Sequence, residues 1–295
     1  MENNNGNGNG RKIKLVIPKG KIYDRVKGLL EESGITLTKN FDRSYRMRTN
    51  IPWLEIKLLK PQNIGRLVDL GHKDIGFTGY DWIYEKDCKN VVEIFDTGFD
   101  PVKIVAAMPK CNEEKINRKE KIVIASEYSR ITHEFLDKEG FKDYVYIQTY
   151  GATESFPPED ADMIIDNTST GTTLEQNQLK VCKVIMESTT RFIANKDALN
   201  DSWKKGKIEE LRIIFKSIID AQQRVMIEMN VSEENLDKVI KVLPCMKSPT
   251  VNKLFEGGYA VKSAVPKKLL SEVIPAIKSA GATDILEFDI NKLIA

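Results

Sequence analysis

Along residues 11–150, short apolar runs alternate with stretches in which apolar positions recur every three or four residues. The first run, Ile13-Lys-Leu-Val-Ile17, ends at Pro18-Lys19-Gly20, and the helical period takes over across residues 23–33. Strand, glycine turn and helix start in that order make the front half of a βαβ unit. Gly34 stands where a helix stop is expected. The same patterns predict strands over 54–59, 74–78, 102–108, 122–126, 144–149, 163–165 and 189–194. Helices are predicted over 62–70 and 129–139, the second closed by Gly140. Such alternation predicts an α/β architecture with mostly parallel sheets. Residues 201–222 predict one long helix, with Ile208, Leu211, Phe215 and Ile218 on a single stripe and Gly206 weakening its start.

Beyond residue 222 the pattern changes. Val225, Ile227 and Met229 alternate with polar neighbours and predict a strand, and Ser232-Glu-Glu-Asn235 is a capped, acidic helix start. Strands over 250–255 and 259–265 flank Glu256-Gly257-Gly258, a hairpin turn. Pro266 opens a helix that Gly281 ends, and a strand over 283–288 follows. The order β-α-β-β-α-β predicts a separate ferredoxin-like domain over residues 222–295.

Composition narrows the function classes. A chain of 295 residues suits two or three compact units. Its 41% apolar and 30% charged residues fit a folded globular protein. A net charge of +2 provides no field to draw nucleic acid or an anionic membrane, so neither is expected as a partner. No apolar run is long enough for a bilayer, and the start lacks a secretion pattern, so a cytoplasmic location is expected. The opening MENNNGNGNG is Asn/Gly low complexity and is expected to be a disordered tail over residues 1–10. Cys88, Cys111, Cys182 and Cys245 form no Cys-x-x-Cys pair, and His72 and His133 have no companion at ligand spacing. Neither a disulfide framework nor a zinc site is expected.

The candidate chemistry lies in Asp162-Met-Ile-Ile-Asp-Asn-Thr-Ser-Thr-Gly-Thr-Thr-Leu-Glu-Gln-Asn177. Residues 166–173 are expected to turn sharply from a strand into a helix beginning near Leu174. A helix start presents unpaired N–H groups and the positive end of the peptide dipoles, which together favour an anion. Gly171 lets the backbone approach closely, and Thr168, Ser169, Thr170, Thr172 and Thr173 add hydroxyl donors. Any one of these hydroxyls alone reads as a helix cap. Five of them around a glycine, directly after a strand, read as a phosphate cradle. The Gly-x-x-x-x-Gly-Lys pattern is missing, which argues against a nucleoside-triphosphate P-loop. Asp166, just before the cradle, suits the hydroxyls of a sugar phosphate, because a carboxylate accepts two such bonds.

Asp166-Asn-Thr-Ser-Thr-Gly-Thr-Thr-Leu174, with Asn177 and Leu179 after it, resembles the phosphoribosyl-pyrophosphate loop of the ATP phosphoribosyltransferase family. Pro18-Lys19-Gly20-Lys21, Asp74-Ile-Gly-Phe-Thr-Gly-Tyr-Asp81, Gly151-Ala-Thr-Glu154 and Arg191-Phe-Ile-Ala-Asn195 resemble further family segments in the right order. Met246-Lys-Ser-Pro-Thr250 and Gly281-Ala-Thr-Asp-Ile-Leu286 resemble the regulatory domain of the family's long form. The resemblance spans about residues 12–294. Lys21 stands where the family usually carries arginine, so a bidentate fork becomes a point charge. Lys60-Pro61-Gln62-Asn63-Ile64-Gly65 replaces an Arg-x-x-Asp-Ile-Pro pattern, and Asn167 and Thr168 replace apolar residues.

The resemblance implies two lobes like a type II periplasmic binding protein, residues 11–102 with 187–221 and residues 103–186, followed by the ferredoxin-like domain. It implies transfer of a phosphoribosyl group from phosphoribosyl pyrophosphate to N1 of ATP, the first step of histidine biosynthesis, with Mg2+ on the leaving pyrophosphate. Asp166, Glu154 and Lys19 are then the catalytic candidates. Lys21, Gly79, Tyr80, Thr168, Ser169, Thr170, Gly171, Thr172 and Thr173 are the substrate-binding candidates. Ser248, Pro249 and Thr250 would line a pocket for inhibitory histidine, although Ser-Pro-Thr also reads as a plain turn. A homo-oligomer, from dimer to hexamer, is likewise implied. A solute-binding protein and a non-catalytic regulatory relative share the implied shape, and pyrophosphate release separates all three.

Overall fold

The computed structural model describes residues 10–39, 45–118, 120–246 and 248–294, so nearly all of the expected tail over 1–10 lies outside the described residues. The chain opens with β1 (Ile13–Pro18), α1 (Lys21–Glu32), β2 (Leu37–Lys39), β3 (Arg46–Thr49), β4 (Leu54–Leu59) and α2 (Pro61–Asp69). It continues with β5 (Ile75–Gly79), α3 (Tyr80–Glu85) and β6 (Val91–Asp96). A second run holds β7 (Val102–Pro109), α4 (Glu113–Asn117), β8 (Ile122–Ser126), α5 (Ser129–Glu139) and β9 (Tyr144–Gln148). Next come β10 (Met163–Thr168), α6 (Thr172–Gln176), β11 (Leu179–Ser188), β12 (Thr190–Asn195), α7 (Lys196–Asn200) and α8 (Ser202–Gln222).

Two sheets result, β2-β3-β4-β1-β5-β12-β6 and β11-β7-β10-β8-β9. With the edge hairpin β2–β3 set aside, both follow one order: β4-β1-β5-β12-β6 and β9-β8-β10-β7-β11. In each, the fourth strand of that series is the one delivered from the other sheet. The chain therefore crosses over residues 97–101 and again at Thr189, giving two lobes of the type II periplasmic-binding-protein kind.

The sheets are mixed rather than mostly parallel, which corrects the expectation from alternation. β1 lies parallel to β4 and β5, and β8 lies parallel to β9 and β10. β12 and β7 run antiparallel to both of their neighbours. A parallel neighbour needs a crossover on its own sheet, whereas these two strands arrive directly from the opposite lobe. β11, a ten-residue strand, has no clean alternation to announce it: most of it is exposed, and two register shifts interrupt its pairing with β7. β2, β3 and β6 are short and partly polar and were equally silent.

Contacts divide the chain into two compact units that part between Ile208 and Glu209, inside α8. Asp201 accepts from the Trp203 and Lys204 amides, both at 3.0 Å, and so caps that helix. The predicted stripe Ile208, Leu211, Phe215 and Ile218 is buried. The second unit also contains β13 (Arg224–Val231), α9 (Leu236–Val242), β14 (Thr250–Lys253), β15 (Tyr259–Pro266), α10 (Leu270–Ser279) and β16 (Ala282–Asp289). Its wholly antiparallel sheet has the order β14-β15-β13-β16, the ferredoxin-like arrangement. Val225, Ile227, Met229, Val261 and Val265 point into one core with Val239 and Ile277. No described helix is long and apolar enough to cross a membrane.

α3 carries the main apolar contact from the first lobe into the second. Trp82 leaves the first lobe and joins the core of the second, beside Ile104, Ile124, Ile131 and Ile165. Its ring stacks on Tyr128, centroids 4.5 Å apart. Glu85, also buried, accepts from the Arg130 and Ile131 amides at 3.2 and 3.1 Å and so caps the start of α5. Trp82→Ala should lower stability by about 3–5 kcal/mol, measured by denaturant unfolding. A loss near zero would show that the lobes do not depend on this contact.

Candidate active site

A cavity of about 630 Å³ lies between the lobes. Lys19, Lys21 and Gln62 line it from the first lobe, and Glu127, Tyr128, Glu154 and residues 166–174 from the second. Asp100 and Ser188-Thr189-Thr190, from the two crossings, also line it. The crossings brace each other: the Thr97 amide and hydroxyl donate to the Thr190 carbonyl at 3.0 and 2.7 Å, and the Thr190 amide donates to the Phe99 carbonyl at 3.0 Å.

β10 runs to Thr168, three residues further than its apolar core predicts, so Asp166 and Asn167 sit on the strand and the turn proper is shorter. Gly171 has φ of 85°, the left-handed region that favours glycine. Its amide donates to Thr168 Oγ1 at 3.1 Å, and the Thr170 and Thr172 hydroxyls meet at 3.0 Å. Ser169, Thr170, Thr172 and Thr173 remain exposed. Leu174 pins the far end of the turn by burying itself with Val105, Ala107, Ala125 and Ile164. α6 has only five residues, so it offers amide donors at its start and little macrodipole. In so short a helix the hydroxyls and amides, rather than the dipole, are the donors the turn presents.

Asp166 faces this cavity with Glu154 and Glu127 close by. Burial, reinforced by those two acids, pushes its carboxyl up to about 7, against the pull of the Asn167 amide at 2.7 Å. Three acids therefore gather in one cavity. Among the described residues, no three Asp, Glu, His or Cys side chains are placed to hold a metal ion by themselves.

A hydrogen-bond chain, buried at Tyr128, Asp81 and Ser188, links the lobes behind Asp166. Asn167 Nδ2 donates to Asp166 Oδ1 and to the Tyr128 hydroxyl, both at 3.2 Å. Tyr128 donates to Asp81 Oδ2 at 2.8 Å, and Ser188 Oγ donates to Asp81 Oδ1 at 2.6 Å. Burial raises the Asp81 carboxyl, while these two hydroxyls hold it down. Burial and the neighbouring Asp81 push the Tyr128 phenol well above its usual range. Gly79 borders the same knot: a Cβ there would stand 2.1 Å from Asp81 Oδ1.

The structure thus brings together Asp166, Glu154, Lys19, Lys21, Gly79, Thr168, Ser169, Thr170, Gly171, Thr172 and Thr173 around one cavity. Lys19 reaches it with its ammonium 3.7 Å from the centre of the Tyr45 ring. Tyr80 is not among the lining residues. It opens α3 facing the other way, into a separate hollow of about 340 Å³ with Tyr84, Phe135 and Met186, and the Arg191 guanidinium lies 5.1 Å from its ring centre. Adjacent positions on one helix turn point apart, a direction that the Gly-Tyr-Asp motif does not encode. Ser248 and Thr250 are exposed and Pro249 half-buried, at the start of β14 in the second unit. Gln62, Asp81, Asp100, Glu127, Tyr128, Asn167 and Thr190 were not foreseen as site residues. They come from several elements; Asp81 and Asn167 lie inside the family-like motifs, and Gln62 inside the Lys60–Gly65 stretch that departs from the family pattern.

The family profile described as ATP phosphoribosyltransferase matches residues 60–218, and that described as HisG, C-terminal domain, matches residues 221–292. An ATP phosphoribosyltransferase of Pelotomaculum thermopropionicum is 37% identical over 96% of this chain and 99% of its own length. Another, from Thermodesulfovibrio yellowstonii, is 37% identical over 96% of this chain and 98% of its own. Among solved structures, the ATP phosphoribosyl transferase (HisG:HisZ) complex from Thermotoga maritima superimposes with a TM-score of 0.60 at 24% identity, covering 69% of this chain and 98% of that one. That likeness bears on the fold alone.

The raised carboxyl makes a direct prediction. Ligand-free Asp166 should titrate near 7, read by carboxyl-carbon NMR. Glu154→Gln removes a neighbouring negative charge and should move the midpoint down. An unmoved midpoint would show that the acids do not interact. Because the folded chain holds this proton more tightly than the unfolded one, the group should also erode stability as pH rises from about 4 towards 7.

Proposed function

The chain belongs to the ATP phosphoribosyltransferase family, a pentosyltransferase of histidine biosynthesis, and we propose that the cleft around Asp166 is where it joins phosphoribosyl pyrophosphate to ATP. The observation that carries this assignment is the pairing of a hydroxyl-rich turn, closed at Gly171, with the carboxyls of Asp166 and Glu154 in one cavity. The turn suits the 5-phosphate, with Thr168, Ser169, Thr170, Thr172 and Thr173 as donors. Asp166 and Glu154 suit the ribose hydroxyls, and Lys19 and Lys21 on the opposite lobe suit phosphate oxygens.

In the reaction, adenine N1 forms a bond to ribose C1 as the bond from C1 to the pyrophosphate oxygen breaks, and its electron pair leaves with the pyrophosphate. The residues around the cavity need to position two substrates and bear charge, so no covalent nucleophile is required. Asp166 and Glu154 fit a hard cation such as Mg2+, which takes one or two carboxylates and completes its shell with phosphate oxygens. Bound there with the diphosphate, that ion would neutralise the leaving group. It would also favour the ionised form of Asp166, against the burial that raises this carboxyl.

Pyrophosphate release from ATP and phosphoribosyl pyrophosphate with Mg2+ tests the assignment. Binding without release would point to the solute-binding or regulatory alternative. Asp166→Ala should lower kcat/KM about 100-fold while circular dichroism is unchanged and Tm holds or rises. Without bound ligand, deprotonation of Asp166 governs the acid limb, so kcat/KM should rise through pH of about 7 and Asp166→Asn should abolish that limb. Near-normal turnover in Asp166→Ala would remove the residue from the site.

We extend the reading to regulation, a homo-oligomer and a cytoplasmic location. The domain matched at residues 221–292 supports a regulatory role for the ferredoxin-like unit. Ser248, Pro249 and Thr250 line the strand start that would meet inhibitory histidine. Titrating L-histidine against the rate of the full chain should show inhibition, and Ser248→Ala with Thr250→Ala should raise the inhibitory concentration at least severalfold. A rate indifferent to histidine would end the regulatory assignment.

A further inference from the structure

The two oxygens of Asp166 are not equivalent. β10 pairs with β8 over Met163–Ile165, and beyond that stretch the Asn167 amide donates to Asp166 Oδ1 at 2.7 Å. The Asn167 side chain returns to the same atom, with Nδ2 3.2 Å from Oδ1. Two nitrogens of one residue thus fill the two lone pairs of one carboxyl oxygen. Among the described residues, Asp166 Oδ2 has no hydrogen-bond donor, yet it is not one of the side-chain atoms buried without a partner. It therefore keeps its access to the cavity that Asp166 lines.

The Asn167 amide is aimed from the core outward. Asp81, buried, accepts from Ser188 Oγ at 2.6 Å and from the Tyr128 hydroxyl at 2.8 Å. The phenol has one hydrogen and spends it on Asp81, so its oxygen can only accept from Asn167 Nδ2, at 3.2 Å. A flipped amide would set its carbonyl against that phenol oxygen and against the Asp166 carboxylate, two acceptors. Tyr128 is wholly buried and stacked on Trp82, so the inner end of the chain has little freedom. Asn167 is itself exposed and adds little to the core. Both hydrogens of its side-chain amide go to protein oxygens, which leaves that amide no donor for a ligand.

We propose that Asn167 is a positioning residue of the transfer reaction, holding the Asp166 carboxylate by Oδ1 so that Oδ2 alone meets the ribose. The last torsion of an aspartate is broad, and an untethered carboxylate would have to be ordered at each encounter with the sugar. Here that ordering is complete before the substrate arrives, which favours the reacting geometry. The sugar meets a single acceptor atom of Asp166 in place of a two-oxygen fork. This role rests on the transferase reading, and it falls on phosphoribosyl pyrophosphate and not on ATP.

Steady-state pyrophosphate release by the full chain, with each substrate varied in turn, supplies the test. Asn167→Leu keeps the size and removes the side-chain donors. It should lower kcat/KM for phosphoribosyl pyrophosphate about tenfold, the worth of one hydrogen bond to a charged group, with KM for ATP and Tm near those of the parent. In Asp166→Ala the same change should cost less than about twofold, because no carboxylate remains to be held. Equal losses in the two backgrounds would mean that Asn167 acts independently of Asp166 and would overturn the proposal. Parent-like constants in Asn167→Leu would do the same. Crystal structures of the parent and Asn167→Leu add a readout without turnover. The Asp166 carboxylate should hold one torsion in the parent and spread over several in the variant, and an unchanged torsion overturns the role. If the parent releases no pyrophosphate, the transferase reading fails, and the carboxylate torsion still decides whether Asn167 orients Asp166.

Discussion

The insertion of Trp82 from one lobe into the apolar core of the other, stacked on Tyr128, is the contact on which the site depends. It places α3 astride the junction, and Asp81 beside it is drawn into a polar knot with Ser188 and the Tyr128 hydroxyl. A buried carboxylate is costly unless its oxygens are matched, and here each has a hydroxyl donor. The apolar and polar halves of this junction thus demand one relative placement of Tyr128 and Asp81. Asn167 extends the demand to Asp166, so the residue facing the cavity inherits its position from packing deeper in the molecule.

The cavity itself is built to be electrostatically uncomfortable on one wall. Asp166, Glu154 and Glu127 share it, and burial keeps the proton of Asp166 bound well above the ordinary carboxylate range. Lys19 and Lys21 stand on the facing lobe. Acid on one side and base on the other suit a ligand that is itself divided, hydroxylated in the middle and anionic at its ends. The hydroxyls of the Gly171 turn complete this division without adding formal charge.

Much of this was legible in the residues. The strand of Ile13–Pro18, the helix Ser129–Glu139 with its Gly140 stop, and the whole β-α-β-β-α-β run after Gln222 follow from periodicity and punctuation. The hydroxyl cluster around Gly171 and the acid before it stood together in one short stretch. Sheet direction did not show, because β7 and β12 look like any buried strand and only their origin in the opposite lobe sets their orientation. β11 stayed hidden because its exposed face carries Lys180, Lys183 and Glu187 between its apolar residues. The turn of Tyr80 away from the cavity, and the presence of Gln62, Asp100 and Thr190 in its lining, are tertiary facts with no local signal.

The strand order has a consequence for how the molecule is made. β12 lies between β5 and β6 in the first sheet, yet it is separated from both by every residue of the second lobe. On a ribosome, β5 and β6 emerge with a gap between them that nothing can close until Thr190–Asn195 has been synthesised. The second lobe, whose five strands are continuous in the chain from Val102 to Ser188, is free to fold first. The first lobe must wait on a contact of long sequence separation, the kind that slows folding. The nascent chain therefore assembles its cavity from the far wall inward, with the amino-terminal wall the later of the two to set.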